Sequence, residues 1–178
     1  MSAPHLLECI HMALEGYLLQ ATKEKLTEEV RRYLQTIICH SQSLSLMSIV
    51  ASLVVAYPDA FFDEAIIMTS NLQFLKYDLM RYTSEINSNM IEFAFHRNPN
   101  MLTERKNSNA LKHRKQHLET LLFNMQATYL GSTDKEGQEC LQRAYKNVDT
   151  LKEQLELESE EVKTLTKFII SRCDVRSM

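Results

Sequence analysis

Glycine and proline are nearly missing from this chain, three of each in 178 residues. Turns and strand ends lean on those two residues, so their scarcity argues against a β-rich fold and for long helices with short connections. No GxxxxGK[ST] phosphate loop occurs, and no HExxH pair. Ser nucleophiles in a recognisable setting and paired catalytic carboxylates are absent too. The four cysteines, at 9, 39, 140 and 173, have the spacing of neither a CxxC site nor a disulfide framework. They read as free thiols in a reducing cytoplasm. The opening "MSAPHLLECIH" lacks a basic segment followed by an apolar core, so no signal peptide is expected. The net charge of −3 gives no global attraction to nucleic acid or to an anionic membrane.

Charge itself is missing from one stretch. Between Tyr33 and Pro58 there is no Asp, Glu, Lys or Arg, although 24% of the chain is charged. A membrane-spanning helix needs about 20 consecutive, mostly apolar residues. Here "HSQS" (40–43) divides the run, and the apolar remainder, Leu44 to Tyr57, is too short. Alternation is too poor for a strand. Ser and Ala at 45, 48, 51, 52 and 56 let neighbouring helices approach closely. The segment therefore reads as a central helix covered on all sides, closed by Pro58, because the residue before a proline avoids the α region.

What is abundant is Leu, Glu, Lys, Gln and Met, which lose little rotamer freedom in a helix. Apolar residues at helical intervals predict a first helix from about Pro4 to Thr22 and a second from Thr27, its N-cap. A fourth follows Pro58 with Phe61, Phe62, Ala65 and Ile66. A fifth is capped by Asn71 and packs Phe74, Leu75, Tyr77 and Leu79. Another runs through Ile86, Met90 and Phe93 and ends at "HRNPN" (96–100). Thr103 then opens a long helix stopping at Gly131, a left-handed C-cap. Thr133 to Glu136 fits a capping box for a second long helix, whose first turn Gly137 weakens. In it Leu141, Val148, Leu155, Val162 and Ile169 recur every seven residues, with Ala144, Leu151 and Leu165 between them and Glu158 and Arg172 interrupting. The expectation is an all-α fold: stacked antiparallel helices in residues 1–100, then a long αα-hairpin in 101–178, forming one continuous module. The heptad seam over 141–169 also offers a homodimer surface.

Candidate chemistry is thin. His113 and His117 are four apart, as a metal pair requires, yet Lys112, Arg114 and Lys115 surround them and repel a cation. They read as an exposed polar face, with no metal and no cofactor. A hydrolytic site around His113 and Glu119 is a third reading. Arg105, Lys106, Lys112, Arg114 and Lys115 make a basic stretch without an acid. It reads as a solvated face or an interaction surface, and no aromatic residues interleave with it for base stacking. Glu15 sits among apolar neighbours. Asp78, Arg81 and Glu85 lie three and four apart on one helical face and are expected to form a structural charge cluster rather than an acid–base pair.

Four stretches, "HMALEGYLL" (11–19), "SIVASLVVAYPDAFFDEA" (48–65), "DLMRYTSE" (78–85) and "RKNSNALKHRKQHLETLLFNMQ" (105–126), together resemble a helical region of large STAND NTPases of prokaryotic antiviral defence, of the AVAST type. The resemblance spans about residues 5–130 and is carried by Leu14, Glu15, Ala56, Tyr57, Pro58, Asp78, Arg81, Glu85, His113, Arg114, Leu118 and Glu119. It implies a region lying downstream of a nucleotide-binding core, in proteins that sense a viral component and activate an effector. Gly16 stands where a bulkier residue is expected, and the chain carries neither a P-loop nor effector nuclease residues, so no ATP-binding or nucleolytic role transfers. The resulting expectation is a non-enzymatic scaffold or protein-interaction module, partnered by a protein or a neighbouring domain, without membrane. The rival is a small nucleic-acid binder using the basic face of 105–115.

Overall fold

The structure is a computed structural model. It describes residues 3–87, 107 and 110–177, and the side chains of all of these except 3–6, 8, 85–87 and 112. Among the described residues there are eight α-helices and no strand: α1 (Ala3–Lys23), α2 (Thr27–His40), α3 (Leu44–Ala56), α4 (Phe62–Thr69), α5 (Leu72–Asn87), α6 (Leu118–Tyr129), α7 (Lys135–Glu156) and α8 (Glu160–Cys173). A 3-10 turn, Lys112–Lys115, precedes α6, and another, Val175–Ser177, follows α8. The all-α array expected from the sequence is the observed architecture. Among the described residues no helix is long and apolar enough to cross a membrane.

The uncharged run is broken where its polar residues stand. Helix α2 stops at His40, and Ser43 donates its N–H to the Ser41 hydroxyl at 3.0 Å in the connection. Helix α3 then packs against α1, α2, α4, α5, α6 and the first 3-10 turn. It buries Met47 and every residue from Ile49 to Val55. Burying a Val, Leu or Ile side chain contributes about 1.5–3 kcal/mol, so the five aliphatic residues Ile49, Val50, Leu53, Val54 and Val55 dominate this part of the core. A charge at Val54, fully buried at 0% exposure, would break it. The helix ends at Ala56, two residues before Pro58, as the proline requires.

Polar side chains set the spacing of the other helices. Asn71 caps α5, accepting the N–H groups of Gln73 at 2.9 Å and Phe74 at 3.4 Å. Asn147 of α7 donates to the Ile66 carbonyl at 2.7 Å and the Thr69 hydroxyl at 2.9 Å. Gln154, two turns on, donates to the Ser70 carbonyl and accepts the Leu72 N–H. These bonds fasten the C-terminal helices to the α4–α5 junction. The hydrophobic core accordingly runs without interruption from Leu18 through α3 to Cys173.

The C-terminal part departs from a simple long hairpin. Residues 110–117 hold a turn and a 3-10 segment, and α6 starts only at Leu118, so no single helix runs up to Gly131 from Thr103, which lies outside the described residues. Gly131 does adopt the left-handed conformation, φ +83°. The cap of α7 is Asp134 rather than Thr133, its carboxylate accepting the Gly137 N–H at 2.7 Å. The second arm breaks at Leu157, Glu158 and Ser159, and α8 folds back along α7 and α6. The break falls on the interruption in the heptads. Glu158 is drawn aside by Lys76 at 2.7 Å and Gln73 at 3.0 Å, both on α5. Three mutually packed helices result. Ala144, Val148, Leu151, Leu155 and Ile169 fill their interior, while Val162 and Leu165 stay 36% and 61% exposed.

Candidate functional site

A seam of buried polar groups joins the N-terminal helices to the entry of α6. Glu15, on the inward face of α1, is ion-paired with Arg114 of the first 3-10 turn. His113 Nε2 lies 3.7 Å from Glu15 Oε1, so the ring faces the carboxylate without a direct hydrogen bond. Burial pushes the Glu15 carboxyl up, but His113, Arg114 and Ser52 pull it down by more, leaving it below the usual Glu range.

One turn further, Asp78 of α5 is 5% exposed. Its Oδ1 accepts from Arg81 at 2.8 Å, and its Oδ2 accepts the Leu118 N–H at 2.6 Å. That N–H is one of the orphan donors at the start of a helix, and an anion there also meets the positive end of the helix dipole. Arg81 reaches on to the Gln116 carbonyl at 3.5 Å. His117, the N-cap residue of α6, packs its ring against Tyr82 at a tilt of 53° with centroids 4.7 Å apart and shares a hydrogen bond of 3.1 Å with the Thr120 hydroxyl. Burial pushes the His117 pKa down, and Arg172 and Arg81 push it further against the pull of Asp78. Glu119, 3% exposed, is paired with Arg172 of α8 at 2.8 Å; burial holds its pKa above the usual value despite that partner.

Several expectations change with these positions. His113 and His117 do not share one face of an α-helix, since one sits in the 3-10 turn and the other at the α6 cap. Nor are they solvated: they are 8% and 5% exposed. Arg114 turns inward to Glu15 instead of joining a basic face, while Lys115 is exposed. Arg105 and Lys106 lie outside the described residues, as do the side chains of Lys112 and Glu85. The Asp78–Arg81 pair forms as the spacing predicts, and Glu15 takes its partner from a different stretch. No group of three or more His, Cys, Asp or Glu among the described residues is placed to hold a metal ion.

Beside this seam opens a cleft of about 300 Å³ between α3 and α5. Small side chains, Ser45, Ser48 and Ala51, line the α3 wall, and Phe74 and Tyr77 line the α5 wall. Met47, Met68 and Leu118 add apolar surface, and Asp78 and Arg81 reach its edge. Leu44 and Tyr77 remain 46% and 45% exposed at the rim. The sequence pointed to the small residues of α3, but as contacts for neighbouring helices; nothing in their spacing marked an open groove. No family model matches the chain, and no curated protein matches it.

Proposed function

We propose that the chain is a non-enzymatic helical scaffold that binds a protein partner or a neighbouring domain, as the helical segment of antiviral STAND NTPase sensors that it resembles would do. One observation carries this reading. The buried ionisable groups Glu15, Asp78 and Glu119 are each engaged in tying one helix to another, whereas the cleft open to solvent is walled mainly by apolar and small side chains. A groove of that composition suits the apolar anchor of a partner helix. Free cysteines at 9, 39, 140 and 173 support a cytoplasmic setting. The nucleic-acid reading has one cation fewer to use, because Arg114 serves Glu15.

The test uses the purified chain as bait in extracts of phage-infected and uninfected host cells, beside a Ser48→Trp variant that fills the cleft. A partner held by the wild type and lost by the variant supports the reading. Equal profiles, nucleotide hydrolysis by the chain alone, or steeply salt-dependent DNA binding abolished by Lys112→Glu with Lys115→Glu would overturn it.

A further inference from the structure

Helix α8 turns Thr166, Ile169, Ile170 and Cys173 into the core and leaves a second apolar stripe outside. Leu165 and Phe168 are 61% and 58% exposed. Glu161 and Arg172 continue the same stripe at its two ends, because residues three, four and seven apart share a helix face. Glu161 makes no ion pair among the described residues. Arg172 is half exposed, at 49%; it spends part of its fork on Glu119 and lies over the Phe168 ring at 5.4 Å. A guanidinium has five donors, so it keeps others for a further carboxylate.

The order along the stripe is acid, Leu, Phe, base, and it has a centre. Glu161 and Arg172 straddle the point between Thr166 and Lys167, and so do Leu165 and Phe168. A two-fold axis through that point lays the helix on an antiparallel copy of itself. Leu165 then meets Phe168 of the other chain, Phe168 meets Leu165, and each Glu161 meets an Arg172. A parallel pairing would set Glu161 against Glu161 and Arg172 against Arg172. We infer that this face of α8 is the contact of an antiparallel homodimer, an isologous interface in which one patch serves both subunits. The heptad residues Ala144, Val148, Leu151, Leu155 and Ile169 do not form it, since they are spent inside the chain. The inference is independent of the cleft and of the partner it receives.

A single helix pair lies at the small end of protein interfaces, below about 1,200 Å², so the dimer is weak and concentration-dependent. Sedimentation equilibrium from about 1 to 500 μM should show monomer giving way to dimer. Leu165→Asp should raise the dissociation constant at least about tenfold with the circular dichroism unchanged, because the side chain it replaces is exposed. Lys167→Asp, on another side of α8, should leave association intact. Orientation is read by oxidising a mixture of Leu165→Cys and Phe168→Cys chains, each also carrying Cys9→Ser and Cys39→Ser. Cross-linking between the two kinds of chain should exceed cross-linking within either kind. A chain monomeric throughout, a dimer indifferent to Leu165→Asp, or a preference for like-with-like cross-links would each overturn the inference.

Discussion

The carboxylate of Asp78 receives the backbone N–H of Leu118 at 2.6 Å, 40 residues further along the chain. Through it the middle of α5 caps the start of α6, and Arg81 neutralises the cap from the next turn at 2.8 Å. Replacing Asp78 by Ala leaves a helix donor unpaired and removes the carboxylate from a guanidinium 15% exposed. The expected loss is about 2–4 kcal/mol in urea unfolding. Asp63→Ala removes a pair whose partners are 46% and 69% exposed, with Arg143, and should cost less than about 0.5 kcal/mol. Equal losses in the two variants would show that the cap contributes nothing special.

Protonation should act through His117. Its pKa is held below 6.5 by burial and by Arg172 and Arg81. As pH falls, the unfolded chain takes up this proton before the folded one does. The stability contributed is therefore full above about pH 6.5 and declines as pH drops towards the folded value. Asn is a good N-cap without a titrating ring. Between about pH 7.5 and 5, wild type should lose more stability than His117→Asn does, measured by urea midpoints at each pH. Parallel curves would refute the assignment.

Asp174 acts in a lower window. It is 3% exposed, and burial alone would raise its pKa; hydrogen bonds from Arg176 at 2.8 Å and Lys152 at 2.6 Å instead bring it to about 2. Arg176 continues to Asp149 at 2.6 Å and covers the Tyr145 ring at 4.7 Å, so the carboxylate fastens the chain end after α8 to α7. Its folded pKa lies below the unfolded 3.8. The stabilisation is present above that value and disappears as pH falls through about 2. Lys152 and Arg176 are 50% and 37% exposed, which discounts the contribution to the order of 1–2 kcal/mol. Asp174→Asn should cost that much at neutral pH and nothing near pH 2.

Gly137 marks a place where propensity and packing disagree. A glycine in a first turn usually gains from replacement by Ala. Here an added Cβ would meet the Ser132 Cβ at 2.8 Å and the Asp134 carboxylate at 3.2 Å. Gly137→Ala should therefore destabilise by about 1–2 kcal/mol despite its better propensity. In a Ser132→Gly background the penalty should shrink or reverse in a double-mutant cycle, and an unchanged penalty would place the conflict elsewhere.

The sequence disclosed what periodicity and composition can carry: the first five helices, the enclosed position of α3, the stop before Pro58 and the Asp78–Arg81 pair three residues apart. It erred at their ends: Leu26 rather than Thr27 stands at the N-cap of α2, with no side-chain cap bond, and α5 runs on through Ile86, where a new helix was expected, whose further residues Met90 and Phe93 lie outside the described residues. It did not disclose Glu15 with Arg114 or Glu119 with Arg172, because partners brought together from distant helices leave no local spacing. The burial of His113 and His117 was hidden for a related reason. Lys112, Arg114 and Lys115 make their segment look solvated, and only the tertiary fold shows that Arg114 turns inward. The break at Leu157 was half visible. Glu158 interrupted the heptads, yet nothing local told that Lys76 and Gln73 would draw it to α5. The cleft between α3 and α5 is a property of two surfaces that do not quite meet, which no single helix pattern records.

Gln126 provides the sharpest case of a polar group on which the core depends. It is fully buried on α6, and its amide donates to the Leu122 carbonyl at 2.9 Å and the Cys173 carbonyl at 2.5 Å. Its oxygen accepts the Val175 N–H at 3.3 Å, so one side chain holds the end of α8 and the chain beyond it. Gln126→Leu keeps the volume and abandons these groups, and should cost about 1–3 kcal/mol. Gln126→Glu has nearly the same shape and should cost more at neutral pH, since an ionised carboxylate would face two carbonyl oxygens. A protonated carboxyl regains one donor. Burial against the carbonyls raises that carboxyl's pKa in the folded chain, so the Glu variant should recover stability as pH falls from neutral, over a range where Gln126→Leu recovers none relative to wild type. Urea unfolding of the three proteins at several pH values separates these outcomes. A Glu variant as stable as wild type at neutral pH would mean that the amide does not hold the end of α8 in solution.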